Sequence, residues 1–414
     1  MRHTSIIVAV GLALAVALPA ASAQAQLQHT FVSSQGLDTN NCSLATPCRH
    51  LQAALLATTA GGEIAILDTA GYNGGTTVFI TQAVSIVNPG GFEALIAPPS
   101  GVGAAIVINA PATDAVSLRG LSIDGGGIGF NGIQFNTGAS LTVENCVIRN
   151  MTNNGIEFDA NATSSLVVSN SRVADNGGVG IVAAHVSFSG TVATLLNRVE
   201  VSNDALGGIS WFGFTAADGG TIVDSVAVNN PTADISVGGI GNVTITRVTA
   251  TSSQNGISIS GSNGGISVNI EDSVASNNSA NGINVTGTGN VTITRVIANS
   301  NQNGIFIQGN ASGFNASIED SVASNNSANG IDVLSSLGVA VDVMVRNSVV
   351  SNNQNGLSSN PGASILLSRT AVTRNSSTGA LLNGGSIISY GDNNINLNLL
   401  NDVAGGTLTS VLTR

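Results

Sequence analysis

The chain has 414 residues, 43% of them hydrophobic and only 8% charged, with a formal net charge of −11. A surface this negative repels phosphate backbones and anionic headgroups, which argues against nucleic-acid partners and membrane-surface roles. The apolar content is too high for disorder and supports a long buried core.

Residues 1–23 read as a secretory signal: Arg2 and His3 precede an apolar run from Ile6 to Leu18, and Ala21-Ser22-Ala23 offers a small-residue cleavage site. Cleavage after Ala25 is the alternative. The run is shorter than the ~20 residues of a spanning helix, and no later segment of that length lacks polar residues. A secreted or periplasmic protein without membrane insertion is expected.

Residues 24–60 are expected to hold an N-terminal strand, a disulfide loop and a capping helix. Cys42 and Cys48 share one polar loop of an exported chain, so a local disulfide is expected, contributing roughly 2 kcal/mol by loop entropy. Thr46 is placed to accept from the first amides of a helix over 48–60, with Pro47 at its first position. Leu51 and Leu55 share one face of it, and Gly61-Gly62 stops it. Cys146 is left over and reads as a small packed residue, because related positions carry Ser225 and Ser273.

Residues 61–387 carry a repeat. The segment from Gly241 recurs from Gly289 with 32 of 48 columns identical, and each copy holds two similar halves. Asn-Gly-Ile and its degenerate forms mark glycines 132, 155, 180, 208, 256, 282, 304, 330, 356 and 379, with Asp234 in the glycine's place once. We expect glycine there for its tolerance of positive φ, and Asp234 as a residue that also accepts that conformation. The strands that follow alternate apolar and polar residues, as in Ile257-Ser258-Ile259-Ser260, so one face points inward. A polar column of Asp124, Asn150, Asn176, Asn229, Thr251, Asn277, Asn299, Asn325, Asn352 and Thr373 marks a turn where stacked amides can bond each other. With no helix-period segment between, each strand must pair in parallel with its equivalent one turn on. The fold class is therefore all-β, a right-handed parallel β-helix solenoid with a short N-terminal capping helix. Residues 388–414 lose the pattern and are expected to form a C-terminal cap.

Candidate chemistry is sparse. Gln134 and Asn136 point outward on one strand and Glu157 and Asp159 on the next, with His185 and Phe212 following on the third and fourth. Two carboxylates at i and i+2 lie about 7 Å apart along a strand, inside the ~6.5–9.5 Å used to activate water in glycoside hydrolysis. Glu157 would be the acid and Asp159 the base, or the reverse. Trp211, Phe212 and Phe214 form an aromatic cluster in which alternation turns Trp211 inward and Phe212 outward, toward a sugar ring. Glu271-Asp272 and Glu319-Asp320 could hold calcium, but Arg247 and Arg295 on the turns between favour charge pairing. No other cofactor is identified, and no metal ligand is assigned.

These residues together resemble the pectate-lyase-like superfamily of right-handed parallel β-helices. Thr30-Phe31-Val32-Ser33, the Cys42 to Cys48 loop, Gly61-Gly62-Glu63-Ile64, Leu118-Arg119-Gly120-Leu121 and Ser389-Tyr390-Gly391 are similar to a large group of secreted bacterial β-helix repeat proteins. A monomer is expected, and the resemblance implies that it binds or processes a polysaccharide along an outer sheet face. The polygalacturonase motifs of that fold are missing, and no lyase calcium cluster can be placed, so no catalytic role carries over. The alternative is a non-catalytic structural or adhesive surface protein.

Overall fold

The structure, a computed structural model, describes residues 26–99, 101, 103–310, 314–336 and 339–411. The segment read as a secretory signal lies outside the described residues.

Each turn of the coil contributes three strands. In the turn after Ala328 they are Asn329–Ser335, Val341–Arg346 and Val349–Ser351. The first pairs in parallel with Asn303–Gly309 on one side and Asn355–Ser359 on the other. The second and third pair with their own equivalents in the same way. Three faces result, named here first, second and third in chain order. The third is a 14-stranded sheet with one strand per turn, and the first two join as a 27-stranded sheet because strands such as Ala233–Thr246 run through the bend between them. At ~4.8 Å per strand the 14 turns make a rod roughly 60 Å long.

Alternation builds the core. Ile235, Ile257, Ile283, Ile305, Ile331 and Leu357 stack in register on the first face and are all 0–1% exposed. Each such side chain contributes about 1.5–3 kcal/mol by leaving water.

The polar column lies inside the rod and, from Asn229 onward, one or two residues later than expected. Asn278, Asn301, Asn326, Asn353 and Asn375 are buried, and each backbone N–H donates to the Oδ1 of the next asparagine at 2.9–3.1 Å. Their amides also donate back to carbonyls of the preceding turn, such as Asn326 Nδ2 to Ala298 O at 3.1 Å. The residues counted from sequence, Asn229, Asn277, Asn325 and Asn352, instead take the left-handed turn conformation with φ of 57–61°.

This ladder corrects the reason for the glycines. None of the ten glycines of the Asn-Gly series has positive φ. A Cβ at Gly330 would lie 2.6 Å from Asn353 Nδ2 and 2.8 Å from Gly356 O, so glycine is required to admit the next asparagine. Asp234 likewise has no positive φ. Its carboxyl fits because the ladder residue beside it is the shorter Ser253, whose hydroxyl donates to it at 2.6 Å.

The N-terminal helix is Leu51–Ala57, shorter than 48–60, and it starts after His50. Thr46 does not cap it, since its hydroxyl donates to Asn41. Asp38 holds the helix entrance instead, accepting from the amides of Arg49 and His50 at 2.9 and 2.8 Å. Gly61 and Gly62 fall inside the strand Thr58–Ile66. Cys42 and Cys48 form the expected disulfide. Their loop covers the outer edge of the strand Leu27–Val32 through Phe31 N to Cys42 O and Cys48 N to Phe31 O. Buried Cys146 sits in a column with Ser171, whose hydroxyl accepts from the Cys146 amide, as expected of a small packed residue.

At the other end the coil runs past residue 387. Asn394–Asn396, Asn401–Ala404 and Thr409–Ser410 pair in parallel with the preceding turn, so much of the expected cap is one more turn. No helix among the described residues is long and apolar enough to cross a membrane.

Candidate functional site

Strand pairing places Gln134 beside Glu157, then Val182, then Ser210, along the first face. The next outward row runs from Asp159 through Ala184 to Phe212. Beneath it Phe135 and Phe158 stack with centroids 4.4 Å apart and rings inclined 22°, giving the strands a firm footing. Gln134 donates to Asn136 at 3.2 Å, Asn136 to Asn109 at 2.8 Å, and Asn131 to Glu157.

Glu157 and Asp159 converge more closely than backbone spacing implies. Burial, the charge of Glu157 and a hydrogen bond with Glu157 push the Asp159 carboxyl up to about 6. Its raised pKa suits Asp159 to hold a proton.

His185 is not on the outer face. It lies four residues after inward Ile181, shares its parity, and is 1% exposed. Its Nδ1 faces Asp218 Oδ2 at 2.8 Å and its Nε2 faces Ser189 O at 3.2 Å. Asp218 also accepts from the amides of Val192, Phe214 and Thr215 at 2.7–2.8 Å. Burial opposes its charge, but these bonds and the one from His185 prevail and hold its carboxyl below the usual range. Asp218 thus knots together the two loops that carry Phe188 and Phe214.

Those loops raise an aromatic cleft of about 330 Å³ at the edge of the first face, lined by Phe188, Phe212, Phe214 and Ile240 over Gly213 and Gly239. Phe188 stands edge-on to Phe214 with centroids 4.2 Å apart and is 86% exposed. Phe212 is 41% exposed and Trp211 is buried, as alternation required. Gly213 is needed here, because a Cβ would lie 2.4 Å from the Trp211 ring. Phe188 and Asp218 were not singled out from sequence. The available signal was spacing: 28 residues separate Gly180 from Gly208, the longest interval between neighbouring glycine marks after Gly132 apart from the one bridged by Asp234.

Behind the same turns the asparagine ladder is interrupted by acids. Asp204 takes a ladder position, accepting from Asn176 N and Nδ2 at 2.9 and 2.7 Å, and Asp234 accepts from Asn230 Nδ2 at 2.8 Å. Both are fully buried, and the Oδ2 of each has no hydrogen-bond partner among the described residues. Burial pushes both carboxyls up to about 7 despite those bonds.

Of the outer acids that could hold calcium, Glu271, Asp272 and Glu319 pair with arginine, and Asp320 accepts from Asn347. Arg295 donates to Asp272 through Nε and Nη2 at 2.6 and 3.0 Å, and Arg247 pairs with Asp224 in the same manner. Among the described residues no three of His, Cys, Asp or Glu converge as a metal site would require.

A family model described as the right handed beta helix region matches residues 106–194 and 184–342. No curated protein matches the chain. Among solved structures the chain is similar to the periplasmic alginate epimerase AlgG, with a TM-score of 0.54 and 11% identity over 75% of this chain and 77% of that one. It is also similar to pectate lyase Pel9A, with a TM-score of 0.47 and 17% identity over 80% of each chain. A third is the A-module of the Azotobacter vinelandii mannuronan C-5 epimerase AlgE6, at 0.43 and 14% over 88% of this chain and 95% of that one. At these identities the likeness concerns the fold. With more than half of its length matched, the chain belongs to the right-handed β-helix family.

Proposed function

We propose that this protein acts outside the cytosol as a carbohydrate-processing β-helix, with Asp159 and Glu157 transferring protons at a glycan laid on the first face. The observation that carries this reading is the carboxyl pair itself: Glu157 and Asp159 stand outward on one strand, in a row that leads to an aromatic cleft, and burial and Glu157 raise Asp159 to about 6. Asp159 is the acid, delivering its proton to the glycosidic oxygen as the bond to the anomeric carbon breaks. Water from the open side of the glycan supplies the hydroxyl to that carbon, and its remaining proton returns through solvent to the Asp159–Glu157 pair. The fold neighbour named for alginate is in keeping with a carbohydrate substrate in general. The Cys42–Cys48 disulfide supports an oxidising compartment, secreted or periplasmic.

The test is incubation with a panel of plant and bacterial polysaccharides, read by reducing ends. Product is expected from at least one polymer, falling about 10²–10⁴-fold in Asp159→Asn and in Glu157→Gln. Loss of the Asp159 proton should make the rate decline as pH rises through about 6. Undiminished product from both variants removes the carboxyl pair from the mechanism. Binding without product would favour the non-catalytic adhesive role.

A further inference from the structure

We infer that the cleft of Phe188, Phe212 and Phe214 is the stacking subsite for an uncharged pyranose, so that the substrate is a neutral glycan and not a polyuronate. The inference rests on the reading of Asp159 and Glu157 as the reacting pair, and three features of the surface carry it further.

The first is position. Phe212 occupies the same outward row as Asp159, two strands along, with only Ala184 between. Two strand spacings put their backbones about 10 Å apart, so one ligand can touch both. The intervening side chains, Val182 and Ala184, are small and leave the path level.

The second is the shape beyond the phenylalanines. The corner between the first and second faces continues as a trough of about 160 Å³, floored by Gly241, Gly265 and Gly289 and edged by Asn242, Ser267 and Asn290. Gly265, Gly241 and Gly289 have φ of 77°, 135° and 138°, so the trough is formed by bends open to glycine and strained for other residues. Carboxyl pair, aromatic cleft and amide-lined trough follow one another along the rod axis. That order suits a linear polymer lying parallel to the axis, with apolar ring faces against phenylalanine and hydroxyls toward asparagine and serine.

The third is charge. No arginine stands on the first-face strands Ile106–Asn109, Ile133–Thr137, Ile156–Ala160, Val179–His185 or Gly207–Gly213, and the chain has no lysine. A uronate carboxylate brought to this row would meet Glu157 and Asp159 with no cation beside them. Like charges in a half-buried setting repel, and an anionic polymer is turned away before it reaches the pair.

Affinity electrophoresis of the intact protein tests this, through gels holding β-glucan, galactomannan or dextran as neutral polymers and polygalacturonate or alginate as anionic ones. Retardation by at least one neutral polymer is expected. It should weaken about tenfold in Phe188→Ala combined with Phe212→Ala, from two lost stacking contacts. Phe188→Ala alone, at a freely exposed ring, gives a variant whose folding is not at risk and should show part of that loss. Retardation by polyuronates alone, by neutral polymers without sensitivity to either phenylalanine change, or by none of the polymers, overturns the inference. Asp159→Asn separates the two ideas: retained retardation with lost product upholds both. Lost retardation only in the phenylalanine variants, with product unaffected by Asp159→Asn, upholds the subsite and removes the proton-transfer reading.

Discussion

The turns from Asn255 to Leu382 and those from Ile156 to Gly241 follow one plan but bury polar groups in opposite ways. In the later turns the internal column is asparagine on asparagine, with donors and acceptors satisfied by the next copy. In the earlier turns Asp204 enters the column and Asp234 stands beside it in a glycine's place, each with an oxygen that has no partner among the described residues, as does the buried Trp211 Nε1. Buried unpaired polar atoms cost about 1–3 kcal/mol each, so such a cluster is retained against stability. The same turns carry the long loops, the aromatic cleft and the carboxyl pair. Regularity thus marks scaffold, and the departures collect where the candidate site is.

The comparison breaks most sharply at Asp218. Replacing it with alanine leaves His185 and three amides without their acceptor, and with each buried donor left unpaired costing about 1–3 kcal/mol, a loss of about 4 kcal/mol is expected. Denaturant unfolding of Asp218→Ala should show that loss, together with a changed emission from Trp211, the single tryptophan, as the loops over it loosen. The sign with pH is fixed. The Asp218 carboxyl is held low in the folded state, so its contribution is present above the ordinary carboxylate range and lost as pH falls through it. Wild type and variant should therefore converge in acid. Equal stability at neutral pH would mean the knot is not what holds the cleft.

Asp204 sharpens the comparison from the other direction. Its carboxyl is raised from 3.8 to about 7, so its folded form is favoured while protonated, and that advantage disappears as pH rises through about 7. Asp204→Asn restores the ladder residue and supplies amide donors where an unpaired oxygen stood. With each pKa unit equivalent to ~1.4 kcal/mol, the variant should be more stable than wild type by on the order of 3 kcal/mol at pH 8. The difference should shrink toward pH 4. A flat difference across that range would assign the effect to packing and not to the buried charge.

Much of the fold was legible because the repeat states it directly: Asn-Gly-Ile gives the period and alternation gives the inner face. Ladder register was harder, since buried Asn230, Asn278, Asn326 and Asn353 each follow another asparagine, and a period cannot say which of two identical neighbours turns inward. His185 was recoverable by counting parity from Ile181. Glu157 and Asp159 were visible as neighbouring outward acids, but the raised pKa of Asp159 depends on burial and side-chain convergence that backbone spacing hides. Phe188 and Asp218 sit in loops outside the repeat, where no periodic rule assigns a direction. The helix cap was misassigned because Asp38, eleven residues before Arg49, reaches its amides through the disulfide loop.

The smallest effect tests the scaffold half of the comparison. A Cβ at Gly330 meets Val350 Cγ1 at 2.5 Å, Asn353 Nδ2 at 2.6 Å and the Gly356 carbonyl at 2.8 Å, and the carbonyl belongs to a paired strand that cannot retreat alone. Gly330→Ala should therefore lower stability by about 2 kcal/mol, the scale of overpacking in a dense core. Gly71 supplies the control: its φ is not positive, and a Cβ there meets nothing within 4 Å. Gly71→Ala should be nearly neutral in the same thermal melt. If both changes are tolerated equally, the glycines are not there to admit asparagine, and the later turns owe their regularity to something other than the ladder. If only Gly330→Ala is destabilising, the Asn-Gly mark is a packing rule, and Asp234 beside Ser253 is the place where this chain exchanges the rule for a buried acid.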